Sequence, residues 1–196
     1  MEFYKIDNIF TTKERKKIIE IINTHLKKKC LYNKFSIYKE PDFPGKQTDF
    51  DLFKSSQLEF LYSHILKRIK EETNLKVTIQ RSWANWSNGK SGDMNIKDWI
   101  KYYFKKTIPL DVYRESKGFP INLRGPLWHD HHEWDYSLIY YLQTTPFVND
   151  GTLFKNGMIR SPQNSLIIFP GNQLHASPPY LFGFKRYTLS IDFMKV

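Results

Sequence analysis

The chain changes its hydrophobic period once, at Leu75, and that change restricts the folds open to it. Before it, apolar residues recur at helical spacing. Ile18, Ile19, Ile21, Ile22 and Leu26 follow the capping-box pair Thr11 and Glu14, which predicts a first helix over 12–28. Ser56 and Glu59 repeat the signature ahead of Leu61, Ile65 and Ile69, predicting a second helix over 56–72, with the turn-rich "KEPDFPGKQTD" as a loop between them. After the change, "LKVTIQRSWANW" alternates apolar and polar positions as a half-buried strand does. Further strand candidates follow at 136–143, 152–155, 165–169 and 186–193, separated by Gly, Pro and Asn. Helices first and strands afterwards predict a mainly-β, α+β chain, an antiparallel sandwich or barrel with its N-terminal helices packed on one side.

A length of 196 residues fits one domain, with a helical part over 1–75 and a β core over 76–196. The core is interrupted by a loop-rich insertion at 93–125. Trp99, Tyr102, Tyr103 and Tyr113 in it are either the core of an added helix or the lining of a substrate entrance, and Gly118 and Gly125 offer hinges for a lid. Forty per cent hydrophobic and 16% aromatic residues set the chain apart from disordered sequences. No basic-then-apolar leader and no long apolar window is present, so no membrane span is expected. The single cysteine, Cys30, excludes an internal disulfide and fits a reducing, cytoplasmic setting. A formal charge of +10 would attract nucleic acid or an anionic substrate, yet much of it is lysine in helical runs such as "KERKK", where a solvated face is the simpler reading.

The stretch "WHDHHEWDYSLIYYL", from Trp128 to Leu142, holds three of the six histidines. In an extended chain His129, His131 and Glu133 project to one side while Asp130, His132 and Trp134 project to the other. Two imidazoles on one face suit a metal. A third candidate, His175, follows an apolar strand and a Pro-Gly turn in "SLIIFPGNQLHASPPY". Arg186 then opens a strand with Thr188 and Ser190 at alternate positions, and an arginine entering an apolar sheet needs an acidic partner, which a ligand can supply.

In this order of elements the chain resembles the iron(II)- and 2-oxoglutarate-dependent oxygenases of the double-stranded β-helix (jelly-roll, cupin-like) fold. The likeness runs from Val77 to Phe193 and is nearest to those members with a W-x-N strand, an H-x-H, then a serine and a Tyr-Tyr pair. Those elements read here Trp83-Ala84-Asn85, His129-Asp130-His131, Ser137 and Tyr140-Tyr141. The resemblance implies His129 and His175 as iron ligands and Arg186 as the anchor of the distal carboxylate of 2-oxoglutarate, with Tyr141, Thr188 and Ser137 beside the co-substrate. Most of the superfamily has H-x-D or H-x-E, which gives the metal a carboxylate. Here the corresponding position is His131, so the third ligand is either His131, favoured by the register to Ser137, or Glu133. The implied activity is a hydroxylase-type dioxygenase that couples oxidative decarboxylation of 2-oxoglutarate, with O2, to oxidation of a primary substrate. Two other readings are a non-catalytic cupin-like metal- or ligand-binding module and a basic nucleic-acid-binding protein. The first has no need of Arg186 in the last strand, and the second has no need of spaced histidines.

Overall fold

The computed structural model describes residues 3–28, 45–87, 129–146, 150–177 and 184–196. Its larger sheet has six antiparallel strands: β1 (Tyr4–Asp7), β2 (Gly45–Gln47), β3 (Val77–Ser87), β4 (Tyr136–Gln143), β7 (Ser165–Pro170) and β9 (Arg186–Lys195). They run in the order β1-β7-β4-β9-β3-β2. A smaller sheet, β6-β5-β8, consists of β5 (Thr152–Phe154), β6 (Gly157–Ile159) and β8 (His175–Ala176). Among the described residues two α-helices, α1 (Thr12–Lys28) and α2 (Glu59–Thr73), precede the main run of strands. This is the mainly-β jelly-roll architecture expected. No helix among the described residues is long and apolar enough to cross a membrane.

Strand alternation divides the core in two. Leu138, Tyr140 and Leu142 of β4, Leu166 and Ile168 of β7, and Leu189, Ile191 and Phe193 of β9 share one face of the large sheet. That face packs on Ile18 and Ile22 of α1 and on Leu61, Ile65 and Ile69 of α2. The opposite face supplies Ile139, Tyr141, Ile167 and Phe169, which meet Phe154 of the small sheet in a second cluster. The helices therefore cover one side of the large sheet, and the other side faces the interior of the β-helix.

The start of α1 is where the spacing predicts it, whereas α2 begins at Glu59, three residues after the expected 56 and without the expected cap. At α1 the Thr11 amide donates to Glu14 Oε2 at 2.8 Å and the Glu14 amide donates back to Thr11 Oγ1 at 3.3 Å, a complete capping box. At α2 the Ser56–Glu59 pair makes no such box: two 3-10 turns, Leu52–Lys54 and Ser56–Leu58, lead into the helix, and its N-cap position is Leu58, without a side-chain cap. These turns carry Leu52 and Leu58 into the core, so burial rather than capping sets the entry. Asn74, left-handed at φ 58°, closes the helix through its amide to the Lys70 carbonyl. The edge strands β1 and β2 and the short β6 had no clear sequence signal. The 93–125 insertion, with Trp99, Tyr102, Tyr103, Tyr113, Gly118 and Gly125, lies outside the described residues.

Candidate metal centre

The central strand β9 presents two chemically different faces. Tyr187, Leu189, Ile191 and Phe193 point to the helices, whereas Arg186, Thr188, Ser190 and Asp192 point to the interior of the β-helix, and all eight are buried. A row of four polar side chains inside a sheet is costly unless each has a partner or a ligand. The candidate site lies along that row.

At one end of the row three imidazoles meet. His129 and His175 form an isolated antiparallel bridge in which each backbone amide donates to the other's carbonyl, at 3.0 and 2.9 Å. Their rings stand 4.4 Å apart, and that of His131 is 5.2 Å from His129 and 5.0 Å from His175. One ring nitrogen from each lies within 4.8 Å of the others. The stretch from His129 is not the extended strand that alternation suggested. After the bridge the chain turns, with the His131 amide donating to the Gly171 carbonyl at 2.7 Å and the Trp134 amide to the His131 carbonyl at 2.9 Å, and β4 begins only at Tyr136. The turn sits so close to Gly171 that a Cβ there would lie 2.0 Å from the Trp134 carbonyl oxygen and 2.7 Å from that of His131. Glycine at the Pro-Gly corner is what lets this turn bring His131 alongside the bridge.

Two of the imidazoles have their tautomers set by acceptors that can only accept. The Gln173 carbonyl lies 2.9 Å from His175 Nδ1, so Nδ1 carries the proton and Nε2 keeps its lone pair. His131 Nδ1 lies 2.7 Å from Asp192 Oδ1, which likewise places a proton on Nδ1. Ser137 donates its hydroxyl to that same carboxylate oxygen at 2.7 Å and lies 2.9 Å from the imidazole. Ser137 is thus at the histidine end of the row. Arg81 Nε donates to the other oxygen, Oδ2. Burial raises the Asp192 pKa, but the contacts with His131, Ser137 and Arg81 outweigh it and hold the carboxyl below its ordinary value.

Register explains how these groups coincide. Ser137 of β4 stands directly opposite Asp192, and β3 supplies Arg81 from the other flank. Ile79 pairs with Phe193 but Arg81 pairs with Asp192, so a bulge inserts one residue between them. Without it Gln80 would face Asp192; the bulge re-aims Arg81. The Arg81 guanidinium also lies over the rings of Phe50, Trp83 and Trp134, at 5.4, 5.3 and 5.5 Å.

At the far end of the row Arg186 is 3% exposed. It donates to the Gly151 carbonyl at 3.0 Å and to Ser177 Oγ at 3.2 Å, and its guanidinium lies 5.7 Å from the Tyr141 ring. Tyr141 pairs across the strands with Thr188, and its hydroxyl meets Thr152 Oγ1 at 2.5 Å. Burial pushes the Tyr141 hydroxyl well above its ordinary pKa, against the Arg186 charge, so it stays protonated. Arg186, Tyr141 and Thr188 therefore lie together. Glu133 is exposed and outside the histidine group, while Asp130 and the exposed His132 pair with each other at 2.7 Å. Asp192 was missed by sequence reasoning, although it continues the Arg186, Thr188, Ser190 alternation by one further step.

No family model matches the sequence, and no curated protein matches it. Among solved structures it is similar to a viral collagen prolyl hydroxylase from Paramecium bursaria Chlorella virus-1, in a 2-oxoglutarate complex: TM-score 0.53, 12% identity, 98% of this chain and 96% of that one covered. It is also similar to SnoK, a non-heme α-ketoglutarate-dependent carbocyclase from nogalamycin biosynthesis: TM-score 0.65, 11% identity, 98% and 79% covered. A third is HygX from Streptomyces hygroscopicus with nickel, 2-oxoglutarate and hygromycin B bound: TM-score 0.57, 9% identity, 98% and 82% covered. The chain has the fold of the 2-oxoglutarate-dependent oxygenases.

On this oxygenase fold the three imidazoles form a nitrogen donor set that suits a first-row transition ion rather than magnesium or calcium. The pH response of the metal-free protein follows from His175. Burial, then the charges of His129 and His131, hold its pKa well below the ordinary value, against the Gln173 carbonyl, which works the other way. The folded state keeps this ring neutral, while the unfolded chain protonates it near the ordinary histidine value of about 6.5. Unfolding then takes up protons on acidification, so this contribution to stability is whole above about pH 6.5 and is lost progressively below it. The urea midpoint of the metal-free protein should fall between about pH 7 and about pH 5; a midpoint that is level over that range would contradict this reading of His175.

Proposed function

We propose that the chain is an iron(II)- and 2-oxoglutarate-dependent oxygenase of the hydroxylase type, with His129, His131 and His175 as the metal ligands. The observation that carries the reading is that one face of β9, in an oxygenase fold, carries the buried Arg186 at one end and, through Asp192, reaches the histidine cluster at the other. Bound iron and 2-oxoglutarate supply, with O2, oxidative decarboxylation to succinate and CO2 and transfer of one oxygen atom to a substrate. The protein's own part is to hold, orient and exclude water. His131 and His175 present Nε2 because their Nδ1 protons are engaged. Arg186 offers a fixed cation to the distal carboxylate of the co-substrate, supported by the Gly151 carbonyl and the Tyr141 ring. Thr188 and the protonated Tyr141 add hydroxyls beside it, and Ile139, Ile167 and Phe169 keep the interior apolar. The formal charge of +10 favours an anionic primary substrate, and the single cysteine a cytoplasmic setting.

Calorimetry under anaerobic conditions tests the co-substrate arm. Charge-assisted pairs contribute about 1.5–3 kcal/mol, so Arg186→Ala should raise the 2-oxoglutarate dissociation constant of the iron-loaded protein by roughly one to two orders of magnitude and leave iron in place. An unchanged constant would overturn the anchoring role of Arg186. Iron-loaded protein that neither binds 2-oxoglutarate nor releases succinate from it in air would favour the binding-module alternative.

A further inference from the structure

Among the described residues the cluster consists of three imidazoles, a donor set that brings no negative charge to a divalent ion. The acid that sequence alternation offered, Glu133, is exposed and stands apart. A different carboxylate is built into the centre from behind. Asp192 is 0% exposed, lies on an inner strand of the large sheet, and meets the imidazole of His131 at Nδ1, 2.7 Å from its Oδ1. Its two oxygens have separate duties: Oδ1 takes the His131 Nδ1 proton and the Ser137 hydroxyl, and Oδ2 takes Arg81 Nε. Both flanking strands contribute a side chain to fix it, and on β3 this requires the bulge that brings Arg81 into register. A salt bridge between Arg81 and Asp192 alone would need neither Ser137 nor an imidazole within hydrogen-bonding distance.

We infer that Asp192 is the positioning residue of the metal centre, holding His131 as its Nδ1-protonated tautomer and returning, one hydrogen bond away, the negative charge that an H-x-H motif lacks. A carboxylate on the far nitrogen of a metal-bound imidazole orients the ring and makes the ligating nitrogen a stronger base. Ser137 and Arg81 keep that carboxylate from rotating. This rests on the reading of His129, His131 and His175 as metal ligands.

The test uses cobalt(II) alone, without co-substrate or substrate, on the full chain. Asp192→Asn keeps the shape and one acceptor oxygen but removes the charge; it should lower cobalt affinity about tenfold to a hundredfold and shift the visible absorption of the bound ion. Ser137→Ala, which leaves the carboxylate in place, should cost less. Nitrogen-15 spectra of histidine-labelled, metal-free wild-type protein, taken above the histidine titration range, should show the His131 proton on Nδ1. That measurement stands even if the Asn variant fails to fold. Wild-type cobalt affinity and spectrum in folded Asp192→Asn, or a proton on Nε2 in the wild type, would overturn the role of Asp192 alone. Wild-type protein that takes up no cobalt would remove the metal centre itself, and this inference with it.

Discussion

His175→Ala yields a folded protein that no longer retains iron or cobalt. The expectation rests on position as well as chemistry. His175 belongs to the two-residue strand β8, bridges His129 through its backbone, and packs against Phe169 at 4.7 Å, so it ties the small sheet to the histidine cluster. Removal of its side chain leaves the backbone bridge, since the paired amides and carbonyls are untouched. What disappears is one of three nitrogen donors. Groups that merely support a ligand typically carry about 10–100-fold of metal affinity, so loss of the ligand itself should cost at least the upper end of that range. Metal content after gel filtration, together with the circular dichroism spectrum, checks both halves. A variant with unchanged affinity would move the metal away from this cluster.

Gly171→Ala should be nearly as damaging by a different route. The added methyl group meets two backbone carbonyl oxygens, at 2.0 and 2.7 Å, and neither can swing aside as a flexible side chain would. Either the 131–134 turn moves or the corner after β7 does. Overpacking of this kind costs about 1–3 kcal/mol, occasionally more, and here the displaced segment carries His131. The hydrogen bond from the His131 amide to the Gly171 carbonyl and that from the Gly171 amide to the Asp135 carbonyl both lie at the clash. Weaker cobalt binding and a lower melting temperature should appear together. Full metal affinity with normal stability would mean that the turn has room to adapt.

The sequence announced its elements more clearly than their junctions. The α1 capping box, the alternation of β3 and the apolar run of β7 are local signals, and each appears in the structure within a residue or two of its expected place. The segment 129–135 behaved differently, because an H-x-H spacing puts two imidazoles together in a strand and equally in a bridge followed by a turn. Which one forms depends on the Gly171 corner, far away in the chain, and no local pattern reports that. Ser56 and Glu59 had the right spacing for a cap, yet the burial of Leu52 and Leu58 decided the start of α2. Asp192 was written in plain view: β9 reads Arg186, Thr188, Ser190, Asp192 at alternate positions. Its partner Arg81 was not legible, since only the one-residue bulge after Ile79 brings the two face to face.

β9 is like a leaf printed on both sides, with the text that holds the helices on one page and the text that serves the histidines and Arg186 on the other. Substitutions on one page leave the other readable. The loss or gain of a single residue within the strand would exchange the pages, sending Leu189 and Ile191 toward the centre and Thr188 and Ser190 into the helix core. Descendants of this chain are therefore free to change in length in their loops, while β9 has to keep count.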